Sequence, residues 1–161
     1  MASMLYALEV PSKGGNTLFA NAYKAYETLP DAIRTRIEGR KALNAYDYEA
    51  AATHRGTKLR EGIPSCWHPI VRTHPATGKK ALYVNRGFTK RIVGIPRDES
   101  NAILHYLCDI AEDPLFQCRF RWRENSIAFW DNRCAQHRAM WDYWPHTRSG
   151  HRVTVAGDRP V

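Results

Sequence analysis

Apolar and polar residues alternate with a period of two at several points along the chain, and with a helical period at fewer. Residues 4–10 read as a strand, and Pro11-Ser12-Lys13-Gly14-Gly15 as a turn feeding a second strand at Asn16-Thr17-Leu18-Phe19. Residues 21–28 and 30–38 read as helices separated at Pro30, with Asp31 acidic in the second first turn. The mixed, polar stretch 49–67, with Gly56, Gly62 and Pro64, reads as a mobile loop. His68–His74 reads as a strand, 75–80 as a hairpin turn and Ala81–Asn85 as the return strand. Ile103, Leu107, Ile110 and Ala111 share one face of a helix expected over 98–112, with Asp98 or Ser100 as its cap and Pro114 closing it. Phe116, Cys118, Phe120 and Trp122 alternate with Gln117, Arg119 and Arg121, which places Cys118 in the core of a half-buried strand. Strands at Ile127–Trp130 and 151–156 complete a mainly β chain with helical insertions, a sandwich or barrel folding as one domain over 1–161.

Composition narrows the class. Five Trp, eight Tyr and five Phe among 161 residues are enough to build a packed core. No apolar run approaches the roughly 18 residues of a membrane span, so no membrane partner is expected. The first ten residues have neither the basic start nor the apolar run of a signal peptide. Cys66, Cys108, Cys118 and Cys134 form no Cys-x-x-Cys pair, which suits reduced thiols in a cytoplasmic protein. The net charge of +8 favours anionic ligands in general. Arg119-Phe120-Arg121-Trp122-Arg123 interleaves base and aromatic as nucleic-acid binders do, but its period suits an aromatic inner face and a basic outer one, so nucleic acid is not the expected partner.

Two stretches carry candidate chemistry: Trp130-Asp131-Asn132-Arg133-Cys134-Ala135-Gln136-His137, and Arg148-Ser149-Gly150-His151-Arg152. If the second is extended, Arg148, Gly150 and Arg152 share a face, and the glycine leaves room for a ligand between two guanidinium forks. That arrangement reads as two anion sites beside an imidazole, although the residues alone favour two surface arginines and a structural histidine. His74 reads as the cap of a turn and His105 as a solvent-facing helix residue. No Ser-His-Asp set and no phosphate-cradling glycine loop is present.

The chain resembles the C-terminal part of the taurine dioxygenase (TauD/TfdA) family of Fe(II)- and 2-oxoglutarate-dependent oxygenases. The resemblance runs through Gly14-Gly15-Asn16-Thr17-Leu18, Val71–Pro75, Tyr83–Thr89, Trp130-Asp131-Asn132-Arg133 with His137, and His151-Arg152 before Gly157-Asp158-Arg159-Pro160. It implies a distorted double-stranded β-helix, or jelly roll. It also implies Fe(II) and 2-oxoglutarate as cofactor and co-substrate, consumption of O₂, and hydroxylation of a small anionic organic substrate, a sulfonate or a carboxylate. By the same resemblance His137 is an iron ligand. Arg148 and Thr17 hold the far carboxylate of 2-oxoglutarate, Arg152 receives the substrate anion, and Trp130 and Phe88 stand near the substrate.

One motif of the family has no match. Its first two iron ligands come from His-x-Asp or His-x-Glu upstream of the Gly-Gly turn, and none of the seven histidines is followed two residues later by Asp or Glu. The resemblance therefore implies a fold incomplete at its N-terminus, with the motif expected just before Met1. A sheet edge left open in this way predicts a homo-oligomer. The alternative reading is a non-catalytic remnant, an anion-binding module on the same fold.

Overall fold

The computed structural model describes residues 1–45 and 65–161. Most of the stretch expected as a mobile loop, 49–64, lies outside the described residues. Its end does not form a loop: Ser65–Pro69 is a strand.

Six strands make two three-stranded antiparallel sheets that face each other. In the first, β1 (Ala2–Glu9) lies between β9 (Ile127–Asp131) and β11 (Ser149–Val155). In the second, β2 (Thr17–Asn21) lies between β8 (Gln117–Phe120) and β10 (Ala135–Ala139). Between β2 and β8 the chain inserts α1 (Ala22–Glu27), α2 (Asp31–Ile37), and a sheet in which β3 (Lys41–Ala45) lies between β4 (Ser65–Pro69) and β7 (Thr89–Ile92). The β5–β6 hairpin (Val71–Thr73 with Lys80–Leu82) and α3 (Arg97–Ala111) complete the insertion. This is the expected jelly roll with helical insertions. A full jelly roll has eight strands, four to a sheet; the described residues supply three to each. No helix among them is long and apolar enough to cross a membrane.

Period two on β1 buries Ser3 and Ala7, and on β9 it buries Ala128 and Trp130. With Trp122 these pack a small barrel interior against Leu5, Val10, Phe19 and Phe120. The larger core belongs to the insertion, where Leu29, Ile37, Ile70, Leu82, Ile92 and Leu107 are almost wholly buried.

Some expectations need correction. Neither Asp98 nor Ser100 caps α3. Pro96 occupies that position with no side-chain bond, and the buried Ser100 Oγ instead accepts from the Ile92 backbone N–H at 2.9 Å, tying α3 to β7. Cys118 is exposed, while Cys108 is the buried thiol, pushed up to about 11 by burial. Cys118 has the parity of Phe120 but sits nearer the sheet's end, beside an open hollow lined by Phe19 and Phe116. The strand expected over 68–74 breaks at Ile70 into β4 and β5. The strands β3, β7 and β10 carry no clear alternation and were not expected.

Candidate active site

The Gly-Gly turn brings the chain into β2. Gly14 and Gly15 both take positive φ, 74° and 65°, which a side chain would strain. The turn is held from across the molecule, where the Gly15 N–H donates to Asp142 Oδ1 at 2.8 Å. A Cβ on Gly15 would press at 3.3 Å against both Arg148 Cδ and the Tyr143 ring. The turn is therefore shaped around the arginine that follows β10.

That arginine enters a closed cluster. Thr17 is 4% exposed, and its Oγ1 accepts from Trp122 Nε1 at 3.0 Å and from Arg148 Nη2 at 3.4 Å. With both bonds accepted, the hydroxyl proton remains to be donated. The Arg148 guanidinium lies 5.1 Å over the Trp122 ring, a cation–π contact. Burial lowers the Arg148 pKa below the ordinary guanidinium value, and Tyr143 partly opposes it. A desolvated cation beside a free hydroxyl donor suits a carboxylate. Sequence reasoning paired Thr17 with Arg148 but missed Trp122, although the alternation of 116–122 had placed that ring on the inner face.

His137 lies on β10 opposite Phe19 of β2, with its ring 4.9 Å from Trp130 and 6.2 Å from Phe19. It is exposed toward a cavity of about 620 Å³, which Phe88 and Arg152 also line. Burial on the aromatic side, with the charge of Arg152 adding to it, lowers the imidazole pKa below the ordinary histidine value. The ring is therefore neutral at pH 7, the form that binds metal.

The two arginines expected on one face serve different places: Arg152 lines the His137 cavity, and Arg148 joins Thr17. Gly150 between them does not make room for a ligand. A Cβ there would stand 2.5 Å from the Tyr6 carbonyl oxygen, so the glycine admits the backbone of β1. Trp130 is buried against His137 and does not line the cavity, whereas Phe88 does. A polar chain backs the cavity wall: Gln136 Nε2 donates to the Val84 carbonyl at 2.6 Å and Asn85 Nδ2 to Gln136 Oε1 at 3.3 Å.

The remaining members of the Trp-Asp-Asn-Arg motif hold the frame. Arg133 donates to both carboxylate oxygens of Asp131, and His74 Nε2 lies 3.1 Å from Asp131 Oδ2. Those contacts, led by Arg133, hold the Asp131 carboxyl far below the usual range. His74 Nδ1 accepts from the Ala76 and Thr77 N–H groups, each at 3.3 Å, so it caps the expected turn. Nε2 must then carry the proton and donate it to Asp131. His74, Asp131 and Cys134 converge within 4.8 Å, the one such triple among the described residues. It is a poor metal site: the imidazole nitrogens and the carboxylate are already engaged, and burial raises the Cys134 thiol pKa. Around His137 the described residues gather no second histidine or carboxylate into a comparable group. The polar groups at Thr17 and Arg148 suit a carboxylate, and His137 alone among the described residues does not make a complete metal site.

The chain is similar to known proteins of one family. The profile of the "Taurine catabolism dioxygenase TauD, TfdA family" matches residues 1–154. A Schizosaccharomyces pombe protein, provisionally named an alpha-ketoglutarate-dependent sulfonate dioxygenase, is 43% identical over 96% of this chain and 40% of its own length. A Pseudomonas putida alpha-ketoglutarate-dependent sulfate ester dioxygenase is 35% identical over 99% of the chain and 56% of its own length. The chain thus spans about half the length of the curated relatives it matches. Among solved structures, a taurine dioxygenase from Burkholderia xenovorans superposes with a TM-score of 0.85 at 36% identity, covering 99% of this chain and 53% of that one. The structure of AAD-2 in complex with Mn(II) and N-oxalylglycine gives 0.87 at 29% identity, covering 99% and 64%. The profile match over residues 1–154, with these relatives and solved structures, places the chain in the TauD/TfdA family.

Proposed function

We propose that this chain is the C-terminal part of an Fe(II)- and 2-oxoglutarate-dependent dioxygenase that hydroxylates a small anionic organic substrate. The observation that carries the proposal is the Thr17–Trp122–Arg148 cluster, a desolvated cation and a hydroxyl donor prepared for one carboxylate. The relatives' names support the co-substrate and point to sulfonates and sulfate esters as the substrate class. N-oxalylglycine, bound in one structural neighbour, differs from 2-oxoglutarate only by an NH in place of a methylene.

In this reading Thr17 and Arg148 hold the carboxylate of 2-oxoglutarate far from the metal, and His137 is one metal ligand. The metal, when bound, supplies O₂ activation. Trp130 holds the His137 ring by packing against it. Arg152 draws the substrate's anionic group into the cavity, and Phe88 flanks it. Overall, one oxygen atom of O₂ goes to the hydroxylated product and one to succinate, with CO₂ released. The other iron ligands come from outside the described residues. The open edges of the two barrel sheets are where further strands pair, and they support assembly with another chain, a homo-oligomer included. Four free thiols fit a cytoplasmic setting.

Anaerobic titration with Fe(II) and 2-oxoglutarate tests the proposal. A saturable charge-transfer absorption at one iron per chain, absent in His137→Ala, is the expected result once the site is completed by a partner chain. A folded chain that binds 2-oxoglutarate but gives no such absorption in any assembly would instead be an anion-binding module.

A further inference from the structure

The cavity holds a second reactive group that the dioxygenase reading does not use. Cys66 and His68 are two apart on β4, so both side chains fall on the same face, and both line the cavity that also holds His137 and Arg152. Cys66 Sγ lies 2.9 Å from His68 Nε2, within hydrogen-bond reach. The His68 ring stands edge-on to Tyr83 at 5.8 Å, and Arg72 and Arg159 are near enough for their charges to act on it. Burial, with those two cations, keeps the imidazole neutral and so able to accept a proton. Cys66 is open to solvent.

We propose that Cys66 and His68 form a nucleophilic thiol–imidazole pair in the cavity wall, a modification site for soft electrophiles, with hydroperoxides as the physiological class. His68 Nε2 takes the thiol proton, and the sulfur attacks one peroxide oxygen. An S–O bond forms and the O–O bond breaks. The departing alkoxide, or hydroxide where the oxidant is hydrogen peroxide, takes the proton from the imidazolium and leaves as an alcohol or as water. The cysteine is oxidised by two electrons to a sulfenic acid, and the peroxide is reduced. The added oxygen puts a polar group on the wall of the cavity that His137 and Arg152 also line, and leaves the Thr17–Arg148 cluster untouched.

Cys118 provides an internal control, because it is also exposed but is hydrogen-bonded to no imidazole among the described residues. The test is a time course of iodoacetamide labelling on the intact chain, with each adduct mapped by mass spectrometry, followed by hydrogen peroxide with dimedone as the sulfenate trap. Cys66 is expected to label at least about tenfold faster than Cys118 and to be the dimedone-positive site. His68→Gln is expected to bring its rate down to that of Cys118. Equal rates for the two thiols in the unaltered chain would overturn the proposal, as would a Cys66 rate unchanged in a folded His68→Gln variant. If that variant does not fold, the wild-type ratio decides alone. The readout is thiol chemistry and not turnover, so its failure leaves the dioxygenase reading intact.

Discussion

The Thr17–Trp122–Arg148 cluster and the His137–Arg152 cavity lie within the same barrel but are finished to different degrees. In the cluster every group is supplied and partnered by this chain. The hydroxyl accepts two bonds, the guanidinium is desolvated over a ring, and the turn beside it is tied down by Asp142. In the cavity the imidazole is packed on one side only, and among the described residues it belongs to no group of three converging metal-binding side chains. In the proposed reading the carboxylate clamp is thus complete among the described residues, whereas the metal site is not. Binding of 2-oxoglutarate and binding of iron should therefore be separable in this chain.

The change expected to break that comparison most strongly is Arg148→Ala. Removing one partner of a desolvated, hydrogen-bonded charge pair costs about 2–5 kcal/mol, so 2-oxoglutarate affinity measured by calorimetry should fall at least about thirtyfold. Arg152→Ala should leave that affinity unchanged and weaken capture of an alkylsulfonate, which separates the two arginines directly. Asp131→Asn probes the frame shared by both regions. It strips Arg133 and His74 of their charged partner and should cost about 1–3 kcal/mol of unfolding free energy at pH 7 in a denaturant titration. The sign with pH follows from the depressed carboxyl. Its contribution is fully present above the unfolded value of about 3.9 and is lost as pH falls below that toward the folded value, so wild type and variant should converge in acid. The smallest expected effect is from Trp122→Phe, which keeps a ring under Arg148 but removes the bond to Thr17. It should cost about 1 kcal/mol in stability and a comparable amount in 2-oxoglutarate binding.

Much of this was legible in the sequence where side-chain period or a motif carried it. The alternation over 116–122 put Trp122 on an inner face, and the apolar stripe of α3 gave its buried side. The strand carrying His137 was not legible. Ala135-Gln136-His137-Arg138-Ala139 has no apolar alternation, because one face meets the cavity and the other is exposed. Its pairing with β2 is a tertiary fact. The parting of Arg148 from Arg152 was also hidden, since period two puts both on one face and only the turn before β11 sends Arg148 toward Thr17. Gly150 shows the same limit: its purpose is set by a carbonyl on β1, far away in sequence.

The most direct test of the self-contained clamp is calorimetric titration of this chain with 2-oxoglutarate in metal-free buffer, beside Arg148→Ala. The account predicts saturable binding at one site per chain in the unaltered protein and its loss in the variant. Equal binding by both proteins, or none by a demonstrably folded wild-type chain, would contradict it.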